Sequence, residues 1–138
     1  LKELSSFIVE NRKSFPKYFK AKEIKKYHKE NKLYKIMWVE TMVGFYVVDG
    51  TQIKNLFIKK EYRRHSKLFL KEMFDNIKNK LDYATLAVNE NSFKVKKLAI
   101  KNGFIATDNY VKGKTHRLRI YSWSSLSSYA DFSVDKET

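Results

Sequence analysis

The sequence predicts an α+β domain in which two helices, three strands, a helix, a strand, a helix and two strands surround a mixed, mostly antiparallel sheet. Three observations carry that reading. Runs rich in aromatic and β-branched residues recur at Leu33 to Glu40, Met42 to Val48 and Gln52 to Lys59, as in consecutive strands. Asp49-Gly50 follows the second run, and that dipeptide between strand-like segments marks a two-residue hairpin. A helix-periodic stretch then separates the third run from Tyr83 to Val88, which makes a strand, helix, parallel strand unit of nearly fixed handedness.

The elements follow in order. Leu4, Phe7 and Ile8 share one face of a short helix over Leu1 to Asn11. Phe15-Pro16 breaks it, and a second helix is expected over Lys17 to Asn31, its surface left largely to lysines. After the three-strand meander, Leu70, Met73, Phe74, Ile77 and Leu81 recur by threes and fours, so a helix is expected from about Arg64 to Lys80. Tyr83 to Val88 lacks alternation and reads as a strand buried on both faces. Asn89 to Ser92 forms a polar turn and cap, Val95, Leu98 and Ala99 the inward face of the last helix, and Asn102-Gly103 its end. Phe104 to Tyr110 and Arg117 to Trp123 make a closing hairpin across Lys112, Gly113 and Lys114. The expected organisation is one domain over residues 1–123 with a polar tail over 124–138 that carries Asp131, Asp135 and Glu137.

Composition narrows the function classes. Hydrophobic residues make up 43% of the 138 positions, enough for one packed core. No cysteine is present, which excludes disulfides and thiolate chemistry. No run approaches the roughly 18 to 20 apolar residues of a membrane span, and the first residues lack a signal-peptide core, so a cytoplasmic location without membrane association is expected. The three histidines have no metal-ligand spacing, and no metal site is expected. Lys and Arg total 29 against 15 acids, a formal charge of +14 that attracts polyanions. Half of that excess falls in residues 1–35, where ten lysines and one arginine face four glutamates. A solvated helix face explains such a run, and so does a nucleic-acid partner.

The central stretch is Gln52 to Phe74. A strand feeding straight into a helix leaves the first helical N–H groups unpaired with the positive end of the dipole behind them. Arg63, Arg64, Lys67 and the Ser66 hydroxyl on the same few residues favour phosphate as the anion. An ordinary connection with solvated basic side chains is the plain alternative.

Element order and motifs together resemble the GCN-like N-acetyltransferase (GNAT) superfamily over most of the chain. In Ile53 to Leu68, Ile58, Glu61, Tyr62 and Arg63 fall where the family's acyl-CoA motif expects them. LAVNENSFKVKKLAIKNGF resembles the second motif, with Leu98, Lys101, Gly103 and Phe104 matching in spacing, and Val43-Gly44-Phe45 resembles the family's third strand. The chain departs from the family at Arg64, Ser66 and Leu68, where glycines are usual, at Ala99, where many relatives place an acid tyrosine, and at Gln52, where some place a base glutamate.

The resemblance implies transfer of an acyl group, acetyl in the first instance, from acyl-CoA to an amine. The sheet would splay at the parallel pair around Ile58 and Val88. Main chain at Leu56, Phe57 and Ile58 would hold the pantetheine, and Arg63, Arg64, His65, Ser66, Lys67 and Leu68 the pyrophosphate, with Ser92 at the cap of the next helix. Tyr46, Glu40 and Tyr121 are the foremost candidates for proton transfer, with Asp49, His65 and His116 behind them. Each also has a plain reading: Asp49 as a turn residue, the tyrosines as core or rim aromatics, the histidines as surface groups. The amine acceptor is unidentified; an anionic or nucleic-acid-linked amine suits the charge better than a polyamine. The protein would be a monomer or homodimer. A catalytically degenerate module of the same fold that binds nucleic acid or a protein is the alternative.

Overall fold

A computed structural model describes residues 2–15, 19–112 and 117–126. Its helices are α1 (Lys2–Glu10), α2 (Ala21–Lys29), α3 (Ser66–Lys80) and α4 (Phe93–Lys101). Its strands are β1 (Leu33–Trp38), β2 (Thr41–Asp49), β3 (Gln52–Ile58), β4 (Tyr83–Asn89), β5 (Ile105–Lys112) and β6 (Arg117–Ser124). They form one sheet in the order β1-β2-β3-β4-β6-β5. β3 and β4 run parallel, pairing Gln52 with Thr85 and Ile53 with Leu86. The β1–β2, β4–β6 and β5–β6 pairs are antiparallel. The predicted α+β order is therefore the observed one.

The chain divides into two compact units, one of residues up to Gly50 with Lys54–Ser66, the other of Thr51–Ile53 with the residues from Lys67 onward. In the first unit, Leu4, Phe7 and Ile8 of α1 and Ile24 and Tyr27 of α2 bury with Met42, Phe45 and Val47 of β2. Phe15, Phe19 and Phe57 close that core; Phe15 stacks on Phe19 at 4.0 Å between ring centres and lies 4.4 Å from Phe57. The backbone is extended at Lys20, so α2 starts at Ala21 rather than at the predicted Lys17; Pro16, Lys17 and Tyr18 lie outside the described residues. β2 is buried continuously from Met42 to Val47, because strands flank it on both edges and its two faces are covered. Gly44 permits its closeness to β3: a Cβ there would overlap the Phe57 carbonyl oxygen and lie 3.1 Å from the Ile58 Cα.

In the second unit, α3 buries Phe69, Leu70, Met73, Phe74 and Ile77, and Phe74 meets Phe104 at 5.0 Å. β4 alternates, with Ala84, Leu86 and Val88 buried between more exposed neighbours, and so is not the doubly buried strand its composition suggests. Its antiparallel ladder with β6 runs the length of the strand, from Tyr83–Ser124 to Asn89–Leu118. α4 ends as expected: Gly103 takes φ +93° and the Phe104 amide donates to the Ala99 carbonyl at 3.0 Å. The Lys78 ammonium donates to the Asn102 carbonyl and stands 5.5 Å from the centre of the Trp123 ring. Ser124, assigned to the tail from sequence, completes β6, and the Ser125 amide donates to the Asp82 carbonyl at 3.0 Å. Gly113, Lys114 and the rest of the tail, 127–138, lie outside the described residues.

Candidate functional site

β3 does not run straight to its end. Asn55 adopts φ +55°, a left-handed conformation that asparagine tolerates better than other side chains and that interrupts regular strand geometry. Beyond it Leu56 is half-buried, Ile58 is buried, and the Phe57 ring belongs to the core. Asn55 was not singled out from sequence. An asparagine inside a strand-like run is the signal that marks it.

The next residues differ from the predicted helix start. Lys60–His65 form a 3₁₀ helix that passes into α3 with no intervening residue. The Tyr62 amide donates to the Lys59 carbonyl at 2.9 Å, and the Ser66 amide donates to the Arg63 carbonyl. Ser66 is buried and its hydroxyl also donates to that carbonyl, at 2.6 Å, so neither donor points outward. Arg63 is anchored through Nε to the Ile58 carbonyl at 2.8 Å, with its guanidinium 5.7 Å from the Phe57 ring centre. Arg64 is exposed. His65 stacks on Trp38, 5.1 Å between centres at 21°.

In the second unit, Lys67 and Leu68 are exposed on the first turn of α3. Lys67 stands close enough to Lys101, at the end of α4, to push the Lys101 ammonium below its ordinary range. Lys97 adds to that repulsion. Ser92 occupies the N-cap position of α4 without a side-chain capping bond. Of the residues expected to meet a diphosphate, Arg64 and Lys67 are exposed, each in its own unit, whereas the Ser66 amide and hydroxyl are engaged.

The proton-transfer candidates are dispersed. Glu40 is exposed in the Val39-Glu40 turn that joins β1 to β2. Tyr46 is buried and stacks on Tyr34 at 5.2 Å, five residues along β2 from Thr41 and so roughly 16 Å from that turn. Tyr121 is buried in β6, opposite Leu86 and Ala106. Asp49 is held below the usual carboxylate range, first by its hydrogen bond from Lys32 at 3.0 Å and also by Lys54, whose Nζ is 3.4 Å away. That makes it a poor proton acceptor and a good electrostatic anchor. The Lys54 ammonium in turn donates to the Tyr27 hydroxyl at 3.1 Å and is held above its ordinary range by that bond first and by Asp49 next. Gln52 is exposed at the start of β3 and Ala99 is fully buried in α4. His116 lies outside the described residues. Among the described residues no cluster of histidines and carboxylates could hold a metal, and no helix is long and apolar enough to cross a membrane.

No protein-family model matches the sequence, and a search of curated proteins finds no match. Solved structures do match. Ard1 from Thermoplasma volcanium superposes with a TM-score of 0.68 at 14% identity, over 89% of this chain and 91% of that one. Arabidopsis thaliana Naa50, in complex with the bisubstrate analogue CoA-Ac-MVNAL, gives 0.64 at 18%, over 89% and 93%. A GNAT family acetyltransferase from Elizabethkingia anophelis with acetyl-CoA bound gives 0.56 at 17%, over 76% and 83%. With its αα-βββ-α-β-α-ββ order and its parallel β3–β4 pair, this chain has the fold of the GNAT acetyltransferases.

Proposed function

We propose that the protein is an acyl-CoA-dependent N-acyltransferase that transfers acetyl, or a related acyl group, to an amine. The observation that carries this reading is exposed Arg64 on the 3₁₀ helix that follows β3 in an acetyltransferase fold. Its side chain would neutralise the diphosphate of the cofactor, and Arg63 would act by holding the 3₁₀ helix to the end of β3. Main chain at Leu56 to Ile58 would hold the pantetheine. The cofactor supplies an activated thioester.

The amine nitrogen attacks the thioester carbonyl, the carbon–sulfur bond breaks, CoA leaves as the thiol, and the nitrogen gives up one proton. A strand N–H near Ile58 would stabilise the oxyanion. Positioning alone can supply about 7 to 11 kcal/mol of the barrier, so a general base contributes the smaller share. Of the three foremost candidates, exposed Glu40 is accessible to an incoming amine, while Tyr46 and Tyr121 are buried. The formal charge of +14 repels polyamines and favours an amine on an anionic carrier, nucleic acid included.

The test is release of CoA thiol from acetyl-CoA in the presence of amine panels. Turnover with amines on anionic carriers above that with spermidine supports the reading, and absence of turnover with every panel refutes it. The second reading is a non-catalytic module of the same fold. Ala99 and Gln52 in place of an acid and a base favour it, as does the engagement of both Ser66 donors by Arg63. Binding of acetyl-CoA without turnover is its signature.

A further inference from the structure

The hairpin of β1 and β2 ends in an unusual way. Met37 and Trp38, the last residues of β1, are each 38% exposed, and Val39, at the first position of the turn, where polar turn residues are usual, is 88% exposed. Val39 also adopts φ +56°, a conformation that a β-branched residue takes only under strain. Trp38 is not isolated. Its ring stacks on His65 at 5.1 Å and lies 6.3 Å from Tyr62 at 48°. Both partners come from the 3₁₀ helix, which also carries Lys60, Arg63 and Arg64. The one acid of that helix, Glu61, lies 3.7 Å from Lys59. The hairpin end thus meets an aromatic group set in an excess of cations, all within the first unit.

We propose that Trp38, Tyr62 and His65, with Lys60 and Arg64 beside them, form a binding surface for single-stranded nucleic acid. Phosphates are attracted by the cations, and an unstacked base is received by the Trp38 ring. A duplex presents phosphates but keeps its bases stacked inside, so it would use only the first of these. An acidic protein segment would likewise use the cations and leave the aromatic group idle. This goes beyond the transferase reading and outlives its failure, because binding is measured without cofactor. It also moves the expected polyanion contact from the lysines of α2 to the end of the first hairpin.

The test is fluorescence anisotropy with a labelled single-stranded 15-mer and the matching duplex, across a salt series, using the full chain. The single strand is expected to bind more tightly than the duplex. Trp38→Ala should weaken it about five- to hundredfold, the range of one lost base stack. Lys60→Glu should weaken it and flatten its salt dependence. Trp38→Phe keeps a ring, should retain most of the affinity, and covers the case in which the alanine variant does not fold.

Emission gives a second measurement, because the protein has two tryptophans and Trp123 is only 8% exposed. The oligonucleotide should quench wild-type emission and leave that of Trp38→Phe unchanged. Equal affinity of wild type and Trp38→Ala overturns the proposal. So does equal quenching of wild type and Trp38→Phe. A matching loss of acetyl-CoA affinity in Trp38→Ala would make the surface an adenine site of the cofactor and also overturns it.

Discussion

Gly44 and Phe57 are in such close contact across β2 and β3 that the glycine has no room for a side chain: a Cβ on Gly44 would overlap the Phe57 carbonyl oxygen. The obstacle is backbone, which cannot move aside by changing rotamer. Gly44→Ala is therefore expected to destabilise the protein by about 1 to 3 kcal/mol or more, the range of core overpacking. Urea unfolding reads this directly; an unchanged midpoint would show that β2 and β3 are not so closely apposed.

Asp49 ties the end of β2 to Lys32 and Lys54, and its carboxyl lies below its ordinary range because Lys32 and Lys54 stabilise the charged form. A depressed carboxylate contributes stability that is present above its unfolded value, about 3.9, and is lost as pH falls through the folded value. Thermal unfolding between pH 6 and pH 2, taken here as about two units either side of that value, should show a steeper loss for the wild type than for Asp49→Asn. Parallel curves would remove Asp49 from the acid response.

Gly103 and Gly50 both have positive φ, +93° and +65°, but their surroundings differ. Nothing lies within 4 Å of a Cβ on Gly50, whereas one on Gly103 would be 3.4 Å from Trp123 and 3.6 Å from the Lys78 ammonium. A separation of 3.4 to 3.6 Å is ordinary van der Waals contact, so alanine is expected to cost about 1 to 2 kcal/mol at either position, from backbone conformation. Urea unfolding of both variants checks this; an unchanged midpoint for Gly103→Ala would show that the end of α4 does not need its left-handed residue.

Lys67 and Lys101 repel one another, so an anion that bridges them should stabilise the fold by mass action. Inorganic pyrophosphate is expected to raise the unfolding midpoint of the wild type and to raise that of Lys67→Ala less. An equal rise in both proteins would place the anion elsewhere.

Much of this architecture is legible in the sequence because it depends on local periodicity and turn chemistry. Leu4, Phe7 and Ile8 define the buried face of α1, and Gly103 ends α4, each from neighbours in the chain; the β2–β3 turn is legible one residue out of place, because Asp49 closes β2 and the loop is Gly50-Thr51 rather than the expected Asp49-Gly50. What could not be read depends on distant residues or on competition between helix types. Nothing near Lys60 announces a 3₁₀ helix, and its presence is what engages the Ser66 donors that a helix beginning at Arg64 would have left open. The contact of Trp38 with His65 joins residues on different elements and has no local signature. The missing alternation in Tyr83 to Val88 also misled, because small Ala87 and amphipathic Thr85 sit on the less buried face of β4 as easily as in a core.

Calorimetric titration of acetyl-CoA into the full chain, repeated with Arg64→Ala, tests the central proposal most directly. Saturable binding by the wild type, weakened about tenfold or more in the folded variant as a charge-assisted phosphate contact is lost, is the expected result. No heat from the wild type at millimolar acetyl-CoA, or equal affinity in the two proteins, would contradict it.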